Sequence, residues 1–152
     1  MRFAMRSIRL SLILLVLSCA EPTATSPRAA APTTVEAQQS NSYFVNASNR
    51  TVYVRIASVR GEGDEPIHTF IRGMFESADS AGARRLVVDL RSITGGDTRL
   101  LVPLIKGILM RDRFAHGGGL YVVVGPDSFS PAQNAARLLE QYANPIVVRE
   151  AP

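Results

Sequence analysis

A serine and a pair of glycines stand at two turns where their residue types could support acyl transfer. Ser130 follows the apolar run Leu120 to Gly125 and begins a segment with helical periodicity, so it occupies a strand-to-helix turn. Such a turn can hold a nucleophilic hydroxyl above a sheet edge. A second strand-like run, Arg85 to Leu90, is followed by Gly95 and Gly96, which would place two flexible glycine amides near the same edge. A serine that faces such amides suggests acyl transfer.

Each of these residues also has a structural interpretation. Ser130 to Gln133 has the sequence Ser-Pro-Ala-Gln, a capping box with proline in the first helical position, and one serine could fill both roles. Gly95 and Gly96 could instead begin a phosphate-binding loop, although the spaced glycines and the lysine of a P-loop are missing. Asp89 and Arg91 are interpreted as structural supports of the glycine turn, because an aspartate in a covered strand is usually paired.

The other side chains that could do chemistry indicate neither a metal nor a cofactor. His68 lies beside the apolar stripe of a predicted helix and His116 lies in a glycine-rich loop, so each is interpreted as a surface or packing histidine. Lys106 is interpreted as a solvated position on a second helix. The chain has one Cys and two His, which do not make a metal site. We therefore expect no cofactor.

The first 42 residues predict export and anchoring. Residues 1–18 have the arginines and the short apolar stretch of a secretory signal, too short to span a bilayer as a mature helix. The sequence Val-Leu-Ser-Cys at 16–19 resembles a bacterial lipobox with Cys19 as the lipidation site; the alternative is an ordinary signal peptide. Residues 19–42 are rich in Pro, Ala and Thr and predict a disordered tether. Because no aspartate follows Cys19, we expect an outer-membrane anchor with the protein facing the periplasm.

The charge of the chain does not indicate nucleic-acid binding. The formal net charge is +4, but Arg2, Arg6 and Arg9 lie in the predicted signal and leave the rest nearly neutral. No basic patch interleaved with aromatic residues is present in the sequence. The expected contact of the N-terminal part is a membrane, through Cys19, and no nucleic acid is expected.

Residues 43–152 predict one small α/β domain with a mostly parallel sheet, because strands and helices alternate. Strands are expected at Val52–Ile56, Leu86–Leu90, Leu120–Val124 and Ile146–Val148. The second of these is almost continuously apolar, which is typical of a strand covered on both faces. The positions expected to be buried on the three helices are Ile67, Phe70, Ile71, Met74, Phe75 and Ala78, then Leu101, Leu104, Ile105, Ile108 and Leu109, then Ala135, Leu138, Leu139 and Tyr142.

Two blocks of this domain resemble the tail-specific, or C-terminal processing, serine protease family. The first block is Leu86 to Asp97, and the second combines Leu120 to Val124 with Ser128 to Asn134 and the following helix. The resemblance implies a crotonase-like α/β fold and a serine-type peptidase that hydrolyses a peptide or protein substrate by acyl transfer. It implies that Ser130 is the nucleophile and that the amide of Gly95 or Gly96 donates to the oxyanion.

The chain departs from the family pattern at three places. Ile93 stands where the family usually has an asparagine, and Pro131 has no amide hydrogen with which to serve as a second oxyanion donor. The sequence ends at Pro152, before the point where the family has its general base, a lysine in the best-known branch. A serine without a base is a weak nucleophile. We therefore expect a partial, truncated domain with impaired activity; the alternative is an inactive lipoprotein that binds peptides or envelope proteins, or a gene remnant.

Overall fold

The computed structural model describes residues 40–61, 66–126 and 128–150. Its strands are β1 Ser42–Asn46, β2 Thr51–Arg55, β3 Arg85–Asp89, β4 Leu120–Val124 and β5 Ile146–Arg149. Its helices are α1 Ile67–Ser80, α2 Val102–Leu109, α3 Asp112–Ala115 and α4 Ser130–Tyr142, and a 3-10 turn, Thr98–Leu101, leads into α2. Within these residues no helix combines the length and the apolar character needed to cross a bilayer.

The strands form a single five-stranded sheet whose spatial order follows the chain, from β1 to β5. The β2–β3, β3–β4 and β4–β5 pairs are parallel. This confirms the predicted α/β class and the mostly parallel sheet. β1 was not predicted, and its antiparallel pairing with β2 makes the sheet mixed. It begins at Ser42, the last residue of the segment interpreted as a tether.

One face of the sheet carries the core. The register aligns two apolar rows across β2, β3 and β4, and all their residues are 0% exposed: Val52, Leu86 and Leu120, then Val54, Val88 and Val122. Every parallel crossover advances to the next strand in the same direction, so right-handed crossovers place α1, α2 and α4 on this one face.

The opposite face of the sheet is only partly covered. The row that crosses it contains Phe44, Tyr53, Val87, Tyr121 and Ile146. Phe44 is 64% and Ile146 48% exposed, and Val87 is half-buried. The expectation that β3 is covered on both faces is therefore wrong, because all three crossover helices pack on the other side of the sheet.

The helices bury nearly the faces that periodicity predicted. All six residues predicted for α1 are its buried residues, and α1 ends before Gly82 as expected. On the second helix, Leu109 is the one predicted position that is only half-buried. On α4 the prediction for Tyr142 is wrong, since it is 54% exposed. The predicted Ala135 and Leu139 are buried and Leu138 is half-buried. The helix also buries Pro131, Ala132 and Ala136, which were not predicted.

Candidate active site

A buried carboxylate organises the carboxyl end of β3. Asp89 is 1% exposed, and its Oδ2 accepts a hydrogen bond from the Tyr53 hydroxyl on the neighbouring strand. Arg91 approaches the carboxylate with two nitrogens, Nε at 3.0 Å from Oδ1 and Nη2 at 2.8 Å from Oδ2. The Arg91 amide also donates to Oδ1, at 3.1 Å. The interpretation of Asp89 and Arg91 as structural supports is thus confirmed, because the carboxylate is fully engaged in holding the chain where it leaves the strand.

Electrostatics keep this carboxylate ionised. Burial by itself would raise the pKa of Asp89, but the hydrogen bonds from Arg91 and Tyr53 outweigh it and hold the pKa below its ordinary value. Burial, followed by the hydrogen bond to Asp89, raises the pKa of Tyr53. The guanidinium of Arg91 also reaches Glu150 beyond β5, with Nη1 3.4 Å from Oε2. Three parallel strands are therefore linked at their carboxyl ends by side chains as well as by the backbone.

The glycine turn after β3 is anchored by an apolar side chain. Ile93 is 1% exposed and belongs to the hydrophobic core. Gly96 has a φ of 125° and pairs in parallel with Val59. A Cβ at Gly96 would lie 2.5 Å from the carbonyl oxygen of Val59, so only glycine allows this approach. The turn is therefore held by burial of an apolar side chain and by close backbone packing.

A polar cavity of about 720 Å³ opens beside this turn. It is lined by Ala57, Ser58, Val59, Arg60, Ser92, Thr94, Gly95 and Gly96. Beyond the cavity, Asp97 ends the turn and caps the 3-10 turn, because its Oδ1 accepts from the Arg99 amide at 2.9 Å. The side-chain hydrogen bonds from Arg99 lower the pKa of Asp97. The structure thus places both predicted glycines at a polar cavity at the carboxyl edge of the sheet.

The turn after β4 is closed by Ser128. The Gly125 amide donates to Ser128 Oγ at 2.8 Å, and the Ser128 amide donates back to the Gly125 carbonyl at 3.2 Å. Ser128 is 5% exposed. The side chain of Gln133 donates to the Ser128 carbonyl at 2.7 Å, so it secures this turn as well. Ser128 is a structural serine whose hydroxyl is occupied inside the turn.

Ser130 begins α4 without capping it. The N-cap residue is Phe129, and no side chain makes a capping hydrogen bond there. The capping-box interpretation of Ser130 and Gln133 is therefore wrong, because Gln133 binds the carbonyl of Ser128 and Ser130 already has a place in the first helical turn. Ser130 is exposed. Its hydroxyl is left accessible at the carboxyl edge of the sheet.

Asn134 connects Ser130 to the chain that follows the glycine turn. Its Nδ2 lies 3.3 Å from Ser130 Oγ and 3.5 Å from Thr98 Oγ1. Thr98 begins the 3-10 turn, two residues after Gly96, so one side chain bridges the two predicted halves of the site. Sequence reasoning missed this role. The signal was the spacing of four residues between Ser130 and Asn134, which places both on one face of a helix.

A general base is not found next to Ser130 in the part of the chain that the structure describes. There Asn134 is the hydrogen-bond partner of the Ser130 side chain, and a neutral amide cannot accept its proton. Lys106 and His68 are exposed on α2 and α1, as their interpretation predicted, and His116 is 60% exposed and pairs with Asp112 at 2.9 Å. In the same residues no cluster of His, Cys, Asp or Glu could hold a metal ion. Cys19 lies outside the described residues.

A second cavity, of about 530 Å³, lies between α4 and the carboxyl ends of β4 and β5. Its lining consists of Val124, Gly125, Pro126, Ser128, Gln133, Ala136, Arg137, Glu140, Arg149 and Glu150. Arg149 pairs with Glu140 at 3.2 Å across this cavity. Ser130 lines neither cavity: its neighbours Ser128 and Gln133 line this one, and the two glycines line the other.

Comparison of the chain with protein-family models, with curated proteins and with solved structures gives no match.

Proposed function

We propose that residues 43–152 form a serine-type peptidase domain with a partial crotonase-like fold, in which Ser130 Oγ is the nucleophile and Gly95 or Gly96 supplies the oxyanion amide. The observation that carries the proposal is the division between the two serines of one turn. Ser128 is buried and accepts the structural hydrogen bond. Ser130 is exposed at the start of a helix, with its hydroxyl free of any capping role.

The reaction would begin with attack of Ser130 Oγ on a peptide carbonyl carbon. Negative charge would then develop on the carbonyl oxygen near the start of α4, where the helix dipole favours it. Pro131 has no amide hydrogen, and the Ala132 and Gln133 amides both donate to the Phe129 carbonyl, at 2.9 and 3.2 Å. The amides of Ala132 and Gln133 are therefore already engaged, and the proposal assigns the oxyanion donors to the glycine turn.

A second function is favoured by the surroundings of the Ser130 hydroxyl. The amide of Asn134 donates to Oγ, and no base faces the hydroxyl from the described residues. A domain of this kind can hold an extended peptide in the groove beside the glycine turn without cleaving it. The alternative proposal is therefore a catalytically inactive lipoprotein that binds peptides or envelope proteins.

A fluorophosphonate probe separates these two functions. If Ser130 is activated, its Oγ forms a bond to phosphorus with loss of fluoride, and Ser130→Ala abolishes the labelling of the full chain. Ser80→Ala is the matched control, because Ser80 is an exposed serine at the other end of the helical layer. Absence of labelling in well-folded wild-type protein would exclude the activated nucleophile and favour the binding role.

The location proposed for this domain is the bacterial envelope, with a lipid on Cys19 that anchors the chain to the outer membrane facing the periplasm. The support is the lipobox-like sequence at 16–19 and the absence of an aspartate after Cys19. Metabolic labelling with a fatty-acid analogue should mark the wild-type chain and not Cys19→Ser. Equal labelling of the two would contradict the anchor.

A further inference from the structure

Three arginines gather at the edge of the sheet opposite the candidate active site. Arg50 precedes β2, and Arg84 and Arg85 lie at the start of β3. They line a cavity of about 430 Å³ together with Asn49, Gly117, Gly118, Gly119 and Tyr121. These residues surround the amino ends of β2, β3 and β4, whereas Ser130 and the glycine turn lie beyond the carboxyl ends. Strands of five residues separate the two edges by roughly 17 Å.

The described part of the chain does not compensate the positive charge in this cavity. All three arginines are exposed, and none of their guanidinium groups has an ion-pair or hydrogen-bond partner among the described residues. Among the residues that the structure describes, no acidic side chain lines the cavity. On the neighbouring α3, the carboxylate of Asp112 is already paired with His116. Three cations held around one cavity repel each other, so an anion placed between them would be attracted by all three.

The backbone fixes these arginines relative to one another. The carbonyl of Arg50 accepts from the amides of Arg84 and Arg85, at 2.8 and 3.1 Å. Arg50 has a φ of 54°, a left-handed conformation that directs its carbonyl to β3. The segment Gly117 to Gly119, before β4, also packs closely against this edge, because a Cβ at Gly119 would lie 2.1 Å from the Arg84 carbonyl oxygen. The backbone positions of the three arginines are therefore set before any ligand arrives, and only their side chains remain to be ordered on binding.

We propose that this cavity binds a phosphoryl oxyanion, presented either by soluble phosphate or by the headgroup of an anionic lipid. The planar guanidinium offers paired N–H donors that match the oxygens of such a group. A cavity of about 430 Å³ admits one headgroup or free anion. The site is independent of the proposed peptidase activity, because it lies at the other edge of the sheet and shares no residue with the catalytic proposal.

The test uses the full chain with Cys19→Ser, so that a lipid anchor cannot contribute. Inorganic phosphate is titrated calorimetrically at constant ionic strength, and cosedimentation is measured with phosphatidylcholine vesicles that contain or lack phosphatidylglycerol. The variants are Arg84→Gln alone and the triple variant Arg50→Gln, Arg84→Gln, Arg85→Gln. The matched control is Arg72→Gln, which removes an exposed, unpaired arginine from α1.

Saturable binding of phosphate supports a soluble ligand, and binding only to phosphatidylglycerol vesicles supports a lipid headgroup. In either case Arg84→Gln should weaken binding about tenfold, the effect of one charge-assisted hydrogen bond, while Arg72→Gln leaves binding unchanged. The single variant keeps the test valid if the triple variant does not fold, as judged by circular dichroism. The proposal is overturned if neither probe binds, or if Arg84→Gln binds as tightly as Arg72→Gln.

Discussion

Ser128 and Ser130, separated by a single residue, have opposite surroundings. Ser128 is 5% exposed, and its hydroxyl lies within a turn, where it accepts a hydrogen bond from the amide of Gly125. Ser130 is the first residue of α4, and its hydroxyl stays at the surface, where it accepts a hydrogen bond from Asn134. Burial and hydrogen bonding thus assign the structural role to one serine and leave the other available for chemistry.

Alanine substitutions should separate these two roles. Ser128→Ala leaves the Gly125 amide without its partner, so we expect the free energy of unfolding to fall by about 1 kcal/mol. Ser130→Ala removes only an exposed hydroxyl and should change that free energy by less than about 0.5 kcal/mol. Urea unfolding followed by circular dichroism measures both. A larger loss for Ser130→Ala than for Ser128→Ala would contradict the assignment.

At the scale of elements, the site depends on how the loop after β3 meets the segment after β2. Gly96 pairs with Val59, the Ile93 side chain is buried in the core, and Asp97 caps the 3-10 turn that leads to α2. α4 packs against the same 3-10 turn and is linked to it through Asn134 and Thr98. The glycine turn after β3 is therefore held in position at both of its ends, and its shape depends on close backbone contact.

Gly96→Ala should disrupt this loop. The added Cβ would lie 2.5 Å from the Val59 carbonyl oxygen, at a φ of 125° that alanine rarely adopts. We expect a loss of about 1–3 kcal/mol in the free energy of unfolding. The control is Gly95→Ala, which shares a positive φ, 158°, but has no atom within 4 Å of the added Cβ, so it lacks the clash and should cost less.

The two glycine variants are compared by urea unfolding, and by fluorophosphonate labelling if the wild-type chain reacts. Equal stability of the two would show that the approach of Gly96 to Val59 does not constrain the loop.

At the scale of the whole molecule, ion pairs connect the helical layer. Asp79 near the end of α1 accepts hydrogen bonds from Arg111, at 2.9 Å to Nε, and from Arg113. Arg111 follows α2 and Arg113 lies in α3, so one carboxylate joins three helices. The hydrogen bonds from Arg111 lower the pKa of Asp79 to about 2; partial burial opposes this, and Arg113 adds to it.

The stability contributed by Asp79 should depend on pH in a defined window. Its pKa is about 2 in the folded chain and 3.8 as the ordinary value, so the folded state favours the ionised form. The contribution is therefore complete above about pH 4 and is lost as the pH falls towards 2. Because Asp79 is partly exposed, solvent screening makes the contribution modest.

Asp79→Asn should lower the midpoint of thermal unfolding at pH 7 and leave it unchanged near pH 2. The measurement is thermal unfolding of the wild type and the variant across this range. A difference between the two that grows as the pH falls would contradict the ion-pair assignment.

The sequence alone determined the features that follow from local periodicity. The apolar stripe of α1 was predicted completely because a helical face depends only on residues three and four apart. The four strands from β2 to β5 were predicted for the same reason, since short β-branched runs between turns are local signals. β1 was missed, because Ser42–Asn46 is a short strand with exposed side chains whose partner is specified by a hairpin.

Only the tertiary structure decided which polar groups form hydrogen bonds with each other. The sequence at Ser130 matches a capping box, yet Ser128 and Gln133 make the hydrogen bonds that close the turn after β4. The hydroxyl of Ser130 instead accepts a hydrogen bond from Asn134. The exposed face of the sheet could not be predicted from β3, because coverage depends on the side to which three crossovers turn. At the opposite edge, Arg50 is distant in sequence from Arg84 and Arg85, and the register of β2 and β3 brings it next to them. Periodicity specifies what one element buries, whereas hydrogen-bond partners and charge clusters depend on contacts between elements.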